Sequence, residues 1–271
     1  MVSRDFVVRA APCPYAPTDH IVLVPSRSIG GYETTSAEMA WWTLAMVAYP
    51  ETQARAQAEL DAVVGHARVP TFADYPHLPY IRAMVKETLR WRPVAPLAPP
   101  HRSIEDDWYD GMFIPKGTNC IANTWNLNRD PEVYGKNAEH FDPGRYLDGG
   151  GMAPGLAQLR EEGHFTYGFG RRNCTGRFMS DNSMFIEIAV LLWATKIERK
   201  VDASGKFLPL DVDGFVDYGI AMSVESLHIP TWMLTDFGRF CRRPIPFEFN
   251  ISPRFPDAPA LLIQERELRG L

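Results

Sequence analysis

The chain has 271 residues, with 28 lysines and arginines against 33 aspartates and glutamates, a formal net charge of −5. That balance supplies no global basic field for nucleic acid, while 45% hydrophobic residues are ample for a core. The four cysteines, Cys13, Cys120, Cys174 and Cys241, form no C-x-x-C pair, which speaks against a zinc site or a disulfide framework and fits a reducing compartment.

Residues 1–28 are punctuated by Pro12, Pro14, Pro17 and Pro25, which argue against a helix, and Ile21–Val24 has the composition of a short strand. Met1–Ala11 carries Arg4, Asp5 and Arg9 and has no apolar run of the kind a secretion signal needs. Thr35–Tyr49 has a helical pattern that Pro50 ends, and Pro50 opens a second helix to about Val64 with Gly65 as its C-terminal cap. A third helix is expected from Pro79 to Trp91, with Ile81, Met84, Val85 and Leu89 as its apolar stripe and Pro93 as its stop. Short strands are expected around Met112–Ile114 and Thr118–Trp125, then irregular coil with helical turns over 126–166, including an exposed loop at Gly149–Gly151. A long helix is expected from about Arg177 to Lys196, followed by a tail of strand and loop. The longest apolar run, Ile188–Ala194, is far too short to span a bilayer.

Within this frame the segment Tyr167-Gly168-Phe169-Gly170-Arg171-Arg172-Asn173-Cys174-Thr175-Gly176 stands out. A lone cysteine is most often a buried structural residue. Here it sits among glycines, beside arginines and at the start of a helix, a setting that stabilises a thiolate. The segment resembles the haem-binding loop of the cytochrome P-450 monooxygenases, F-x-x-G-x-R-x-C-x-G, at Tyr167, Gly170, Arg172, Cys174 and Gly176, with Tyr in place of Phe.

Other segments resemble the same family in the same order. Glu87 and Arg90, in Lys86-Glu87-Thr88-Leu89-Arg90, share a helix face. Alone such a pair is weak testimony, because surface pairs at this spacing are common and contribute little. It resembles the family's E-x-x-R motif, which an arginine from a P-E-R-F segment completes. Phe141-Asp142-Pro143-Gly144-Arg145-Tyr146 offers Arg145, with Gly144 replacing the glutamate and Tyr146 the phenylalanine. The resemblance implies a structural lock of Glu87, Arg90 and Arg145 behind the haem loop. Gly30-Gly31-Tyr32-Glu33-Thr34-Thr35 resembles the oxygen-activation motif, which implies that Thr34 hydrogen-bonds dioxygen or a proton-delivering water while Glu33 relays protons. Thr35-Ser36-Ala37-Glu38 is also a capping box, so the same stretch can simply start a helix. Beside Cys174 and the Glu87–Arg90 pair, we favour the catalytic reading.

The resemblance implies a mainly α fold with a small β portion, the C-terminal half of the cytochrome P-450 fold, covering about residues 30 to 220 and resuming near Pro244–Phe255. It is nearest to fungal, basidiomycete-like members. It implies haem b with Cys174 as axial iron ligand, held within a loop that includes Phe169, Gly170 and Gly176. Backbone amides around Thr175 and Gly176 would tune the sulfur. Arg172 and Arg102 would bind the haem propionates; the alternative for Arg102 is an ordinary exposed charge. Arg171 and Arg177 would face an acidic flavoprotein, an NADPH–cytochrome reductase. Val94–Ala98 and the segment Phe215–Ile220 would line a pocket for a small apolar organic substrate. O2 would be the co-substrate and nucleic acid no partner.

The family's membrane anchor, its first helices and its W-x-x-x-R contact have no counterpart in this sequence. By family the location would be the endoplasmic reticulum membrane; without an anchor the chain itself would be cytoplasmic. Residues 1–29 form an atypical leader and 220–240 a candidate insertion, both of which could be mispredicted coding sequence. The favoured function is a haem-thiolate monooxygenase. The alternatives are a truncated, non-catalytic remnant of that family and a haem-thiolate sensor or electron carrier. The Glu33–Thr34 pair weakens the sensor, which needs no proton relay.

Overall fold

The computed structural model describes residues 4–7, 25–147, 163–218, 241–268 and 270. Four long helices build the core: α1 (Pro25–Ala48), α2 (Pro50–Val63), α3 (Pro79–Trp91) and, far along the chain, α6 (Arg177–Ala194), with the one-turn helices α4 (Thr124–Leu127) and α5 (Pro131–Tyr134) between them. A final helix, α7 (Ala258–Leu268), follows the last strand. The small β portion has nine strands among the described residues: β1 (Arg4–Val7), β2 (His101–Arg102), β3 (Asp107–Tyr109), β4 (Met112–Ile114), β5 (Asn119–Cys120), β6 (Thr195–Arg199), β7 (Phe215–Tyr218), β8 (Cys241–Pro244) and β9 (Glu248–Pro253).

α1 begins at Pro25, ten residues before the expected start, because proline is well tolerated in a first helical turn, where its missing N–H would have had no partner. Thr35 therefore lies deep inside a helix and the capping-box alternative fails. Between α1 and α2 only Tyr49 intervenes, and Gly65 takes φ +68° just beyond α2, as a left-handed terminating residue should. α3 runs over the expected Pro79–Trp91. Its first free N–H groups have no cap of their own; Glu59 of α2 accepts from Tyr80 N at 2.8 Å and Ile81 N at 3.1 Å. Three expectations need correction. The strand expected over Thr118–Trp125 covers only Asn119–Cys120, and the chain turns helical at Thr124, where Asn123 accepts from Asn126 N. α6 stops at Ala194 and the chain extends straight into β6. The tail ends in α7, where strand and loop were expected.

The core is built around four tryptophans, Trp41, Trp42, Trp91 and Trp193, each at most 2% exposed. Each buried indole N–H has an acceptor: Arg242 O, Met84 Sδ, Glu139 O and Gly65 O, respectively. The large apolar surface is thus buried without stranding the polar edge. α2 also reads the backbone of β6 in the manner of a strand, since Gln53 donates to Ile197 O at 2.7 Å and accepts from Ile197 N at 2.8 Å.

β9 is the centre of a three-stranded antiparallel sheet, with β6 on one side (Ile197 opposite Ile251) and β1 on the other (Phe6 opposite Phe249). The first residues of the leader therefore supply an edge strand. β7 pairs with β8, Phe215 opposite Pro244 and Tyr218 opposite Cys241, so chain on either side of 219–240 meets in one ladder. The strand expected at Ile21–Val24, the Gly149–Gly151 loop and the candidate insertion lie outside the described residues. Among the described residues no helix is long and apolar enough to cross a membrane.

Candidate functional site

The E-x-x-R pair is buried and saturated. Glu87 and Arg90 are both 0% exposed, and Arg90 meets the carboxylate in bidentate fashion, Nε to Oε2 and Nη2 to Oε1, both at 2.7 Å. Its remaining donors reach Asn128 O and Ala138 O at 2.7 Å and His140 O at 3.0 Å. All five guanidinium N–H groups are thereby used. Burial works against the charge on Arg90, yet the Glu87 carboxylate outweighs it and holds the guanidinium pKa above its ordinary value. Arg145 arrives from 58 residues away and places Nε 3.1 Å from both Glu87 oxygens, while its Nη1 donates to Tyr134 O at 2.7 Å. Asp142 N completes the set on Glu87 Oε1 at 2.8 Å.

The two departures from the P-E-R-F pattern have local causes. Asp142 caps the 3-10 turn Pro143–Tyr146, accepting from Gly144 N at 2.9 Å. A Cβ at Gly144 would stand 2.9 Å from that carboxylate oxygen and 3.3 Å from Arg55 Nη1, so the glycine makes room for the cap. The Tyr146 hydroxyl donates to Gly163 O, and Gly163, at φ +70°, lets the backbone pass against the ring where a Cβ would come within 2.8 Å.

From the lock a polar relay runs to the cysteine loop. Asn128, whose carbonyl accepts from Arg90, is itself fully buried; its side chain donates to Thr166 Oγ1 at 2.9 Å and accepts from Phe165 N at 2.8 Å. Thr166 Oγ1 in turn donates to Leu89 O of α3 at 2.6 Å. Asn128 and Thr166 were not singled out from the sequence, where polar residues in a turn and a loop carry no periodic signal. The loop closes on itself through Cys174 N to Tyr167 O at 2.8 Å. Tyr167, which stands where the motif has Phe, donates to Asp181 Oδ1 of α6 at 2.6 Å; burial and the neighbouring Asp181 carboxylate push its pKa well up.

The far side of the loop is open. Cys174 is exposed, two residues before Gly176, the N-cap of α6, where a Cβ would lie 3.9 Å from Sγ, in ordinary contact. Gly168 and Gly170 take φ +79° and +59°, and a Cβ on either would meet nothing within 4 Å. Phe169, Phe178 and Met179 are 45%, 65% and 75% exposed, and Arg171 and Arg172 are exposed beside them. Arg177 lies nearer the body of the protein and donates to Cys174 O at 3.2 Å. Arg102, on β2, is exposed with its guanidinium against Gly117, and among the described residues neither it nor Arg172 has a carboxylate partner. Such an open, partly apolar surface with one thiol fits a flat group that brings its own in-plane ligands and takes a single sulfur from the protein.

Glu33 and Thr34 are half-buried on α1. Glu33 contributes to pushing up the pKa of the buried Cys241 thiol to about 12, second to burial itself, so α1 presents this acid toward β8. Val94, first residue of the expected pocket wall, is buried, while Leu97 is exposed. Its continuation is held in place by Ala98 N to Ala122 O and Trp125 N to Pro96 O.

The comparisons with known proteins agree with one another. The family model for cytochrome P450 matches residues 19–203. A cytochrome P450 monooxygenase of Armillaria gallica is 58% identical over 241 residues, covering 89% of this chain and 42% of the relative, and cytochrome P450 monooxygenase 58 of Postia placenta is 46% identical, covering 86% and 40%. Among solved structures, a zebrafish cytochrome P450 with progesterone superposes with a TM-score of 0.65 at 26% identity, covering 89% of this chain and 48% of that one. A mainly helical body, a buried E-x-x-R lock and a one-cysteine loop before a long helix are shared features of a class that uses haem. The chain belongs to the cytochrome P450 family. Membership implies a haem cofactor. The chain spans less than half the length of the curated relatives it matches.

Proposed function

We propose that this chain carries the haem-thiolate part of a monooxygenase that inserts one oxygen atom of O2 into a small apolar organic substrate, with electrons from NADPH through a flavoprotein reductase. The observation that carries this reading is the unbroken set of contacts from Glu87–Arg90–Arg145 through Asn128 and Thr166 to a loop that turns one thiol outward. Haem b, when bound, supplies thiolate-assisted O–O cleavage. The residues of the chain bind and orient. Cys174 offers its thiolate at the N-terminal end of α6, where helix amides favour a negative charge. Phe169, Gly170 and Gly176 form the bed around it. Arg172 and Arg102 hold carboxylates. Thr34 would hold a proton donor, and Glu33, one residue earlier on the same helix, would relay protons to it. Val94–Ala98, all small or apolar, favour an apolar substrate.

The test is the reduced, carbon-monoxide-bound absorption spectrum of the purified chain with added haem, beside Cys174→Ala. The expected result is a red-shifted Soret band that disappears in the variant. Absence of the band in the parent chain would overturn the reading in favour of a non-catalytic remnant.

A further inference from the structure

Glu38 looks in the sequence like half of a capping box, but in the fold it does something else. It lies inside α1, one turn beyond Thr34 on the same helix face, and is 2% exposed. Its Oε1 accepts from Val94 N at 3.1 Å. Its Oε2 is buried with no hydrogen-bond partner. Among the described residues no Lys, Arg or His pairs with it. A carboxylate in such a place is strongly disfavoured, and burial raises the Glu38 pKa well above the usual range despite the opposing Val94 bond. As a neutral acid it still accepts through one oxygen.

The Val94 bond belongs to a closed ring. Val94 O accepts from Arg242 N of β8 at 2.8 Å, and Arg242 O accepts from the Trp41 indole at 3.0 Å, which returns the path to α1 three residues beyond Glu38. The ring joins the helix that carries Glu33 and Thr34 to the first residue of the 94–98 segment and to β8. The groups around it are the buried Cys241 thiol, the Tyr167 phenol, Glu33 and Arg243.

We propose that Glu38 is a positioning residue that fixes the entry of the 94–98 segment relative to Glu33 and Thr34, and thereby sets which apolar ligands fit the pocket. The function of the segment rests on the monooxygenase reading; the positioning itself does not. Glu38→Gln keeps the acceptor oxygen, whereas Glu38→Leu keeps the bulk and removes it.

Hydrogen exchange of the purified chain without haem tests the positioning. The Val94 amide is expected to exchange about tenfold faster in Glu38→Leu, the factor one buried hydrogen bond supplies, and at the parent rate in Glu38→Gln. Equal rates in all three proteins would overturn the proposal. With haem added, titration with imidazole and with 4-phenylimidazole tests the selectivity. Glu38→Leu is expected to lose about tenfold in affinity for the phenyl-bearing probe alone, and Glu38→Gln to keep both affinities. Loss of both probes alike in Glu38→Leu, or of neither, would overturn the selectivity claim. If the parent chain gives no red-shifted carbon-monoxide band, the monooxygenase reading falls while the exchange result still decides the role of Glu38.

Discussion

The lock and the cysteine loop sit on opposite ends of one relay and are built on opposite principles. In the lock, two guanidinium groups and a carboxylate are withdrawn from water and nearly every donor and acceptor has a protein partner, so its geometry leaves no choice. In the loop, Cys174, Arg171, Arg172 and Phe169 face outward on a backbone bent by left-handed glycines. The first region satisfies its polar groups within the fold; the second leaves them exposed, where the proposed function needs them. The difference should separate residues whose loss unfolds the protein from residues whose loss leaves the fold intact.

The largest expected effect tests that separation directly. Arg90→Ala leaves Glu87 buried with half of its partners and is expected to cost about 3–5 kcal/mol in chemical denaturation, while Cys174→Ala stays within about 0.5 kcal/mol of the parent. Similar losses in the two variants would break the comparison. Asn128→Ala cuts the relay between the regions by stranding Phe165 N and removing the donor to Thr166 Oγ1, and about 2 kcal/mol is expected, together with faster proteolysis around 163–176. Unchanged cleavage there would mean that the lock does not support the loop.

His164 sharpens the same point through pH. It is buried between lock and loop, its Nδ1 accepts from Thr166 N, and burial first, then Lys86 and Arg90, holds its pKa down at about 3. The unfolded chain takes up the proton near pH 6.5 while the folded chain does so only near 3, so the unfolded state binds more protons between these values. Stability is therefore complete above about pH 6.5 and falls as pH drops, by at most ~1.4 kcal/mol per unit. Denaturation at pH 7, 6 and 5 should show that part of the slope vanish in His164→Gln. The smallest effect is expected of Tyr167→Phe, which restores the residue of the common motif but removes the hydroxyl's bond to Asp181; about 1 kcal/mol, a few degrees in Tm, should be lost. A stabilised variant would show that the tyrosine is not adapted to its site.

Much of this is legible in the sequence. Pro79 and Pro93 bracket α3, and the i, i+3 spacing of Glu87 and Arg90 already places them on one face, because helix geometry is local. The Cys174 loop was legible as a dense pattern of glycine, arginine and cysteine. Pro25 misled: proline weighs against a helix interior but is at home in a first turn, and only the fold distinguishes the two. α7 was missed, because a short segment such as Ala258–Leu268 needs packing against the core to be helical at all, and Leu261 and Leu262 supply it.

The sequence by itself determined that four long helices form, though not where α1 begins, together with the E-x-x-R spacing and the cysteine loop, since each is written in residues a few positions apart. The resemblance already implied that Arg145 joins Glu87 and Arg90; only the tertiary structure decided that Asn128 carries the lock to the loop and that Glu38 binds Val94 instead of capping its own helix. Those choices belong to buried polar groups. Their partners are selected by whichever backbone the packed core brings within reach, which no local pattern records.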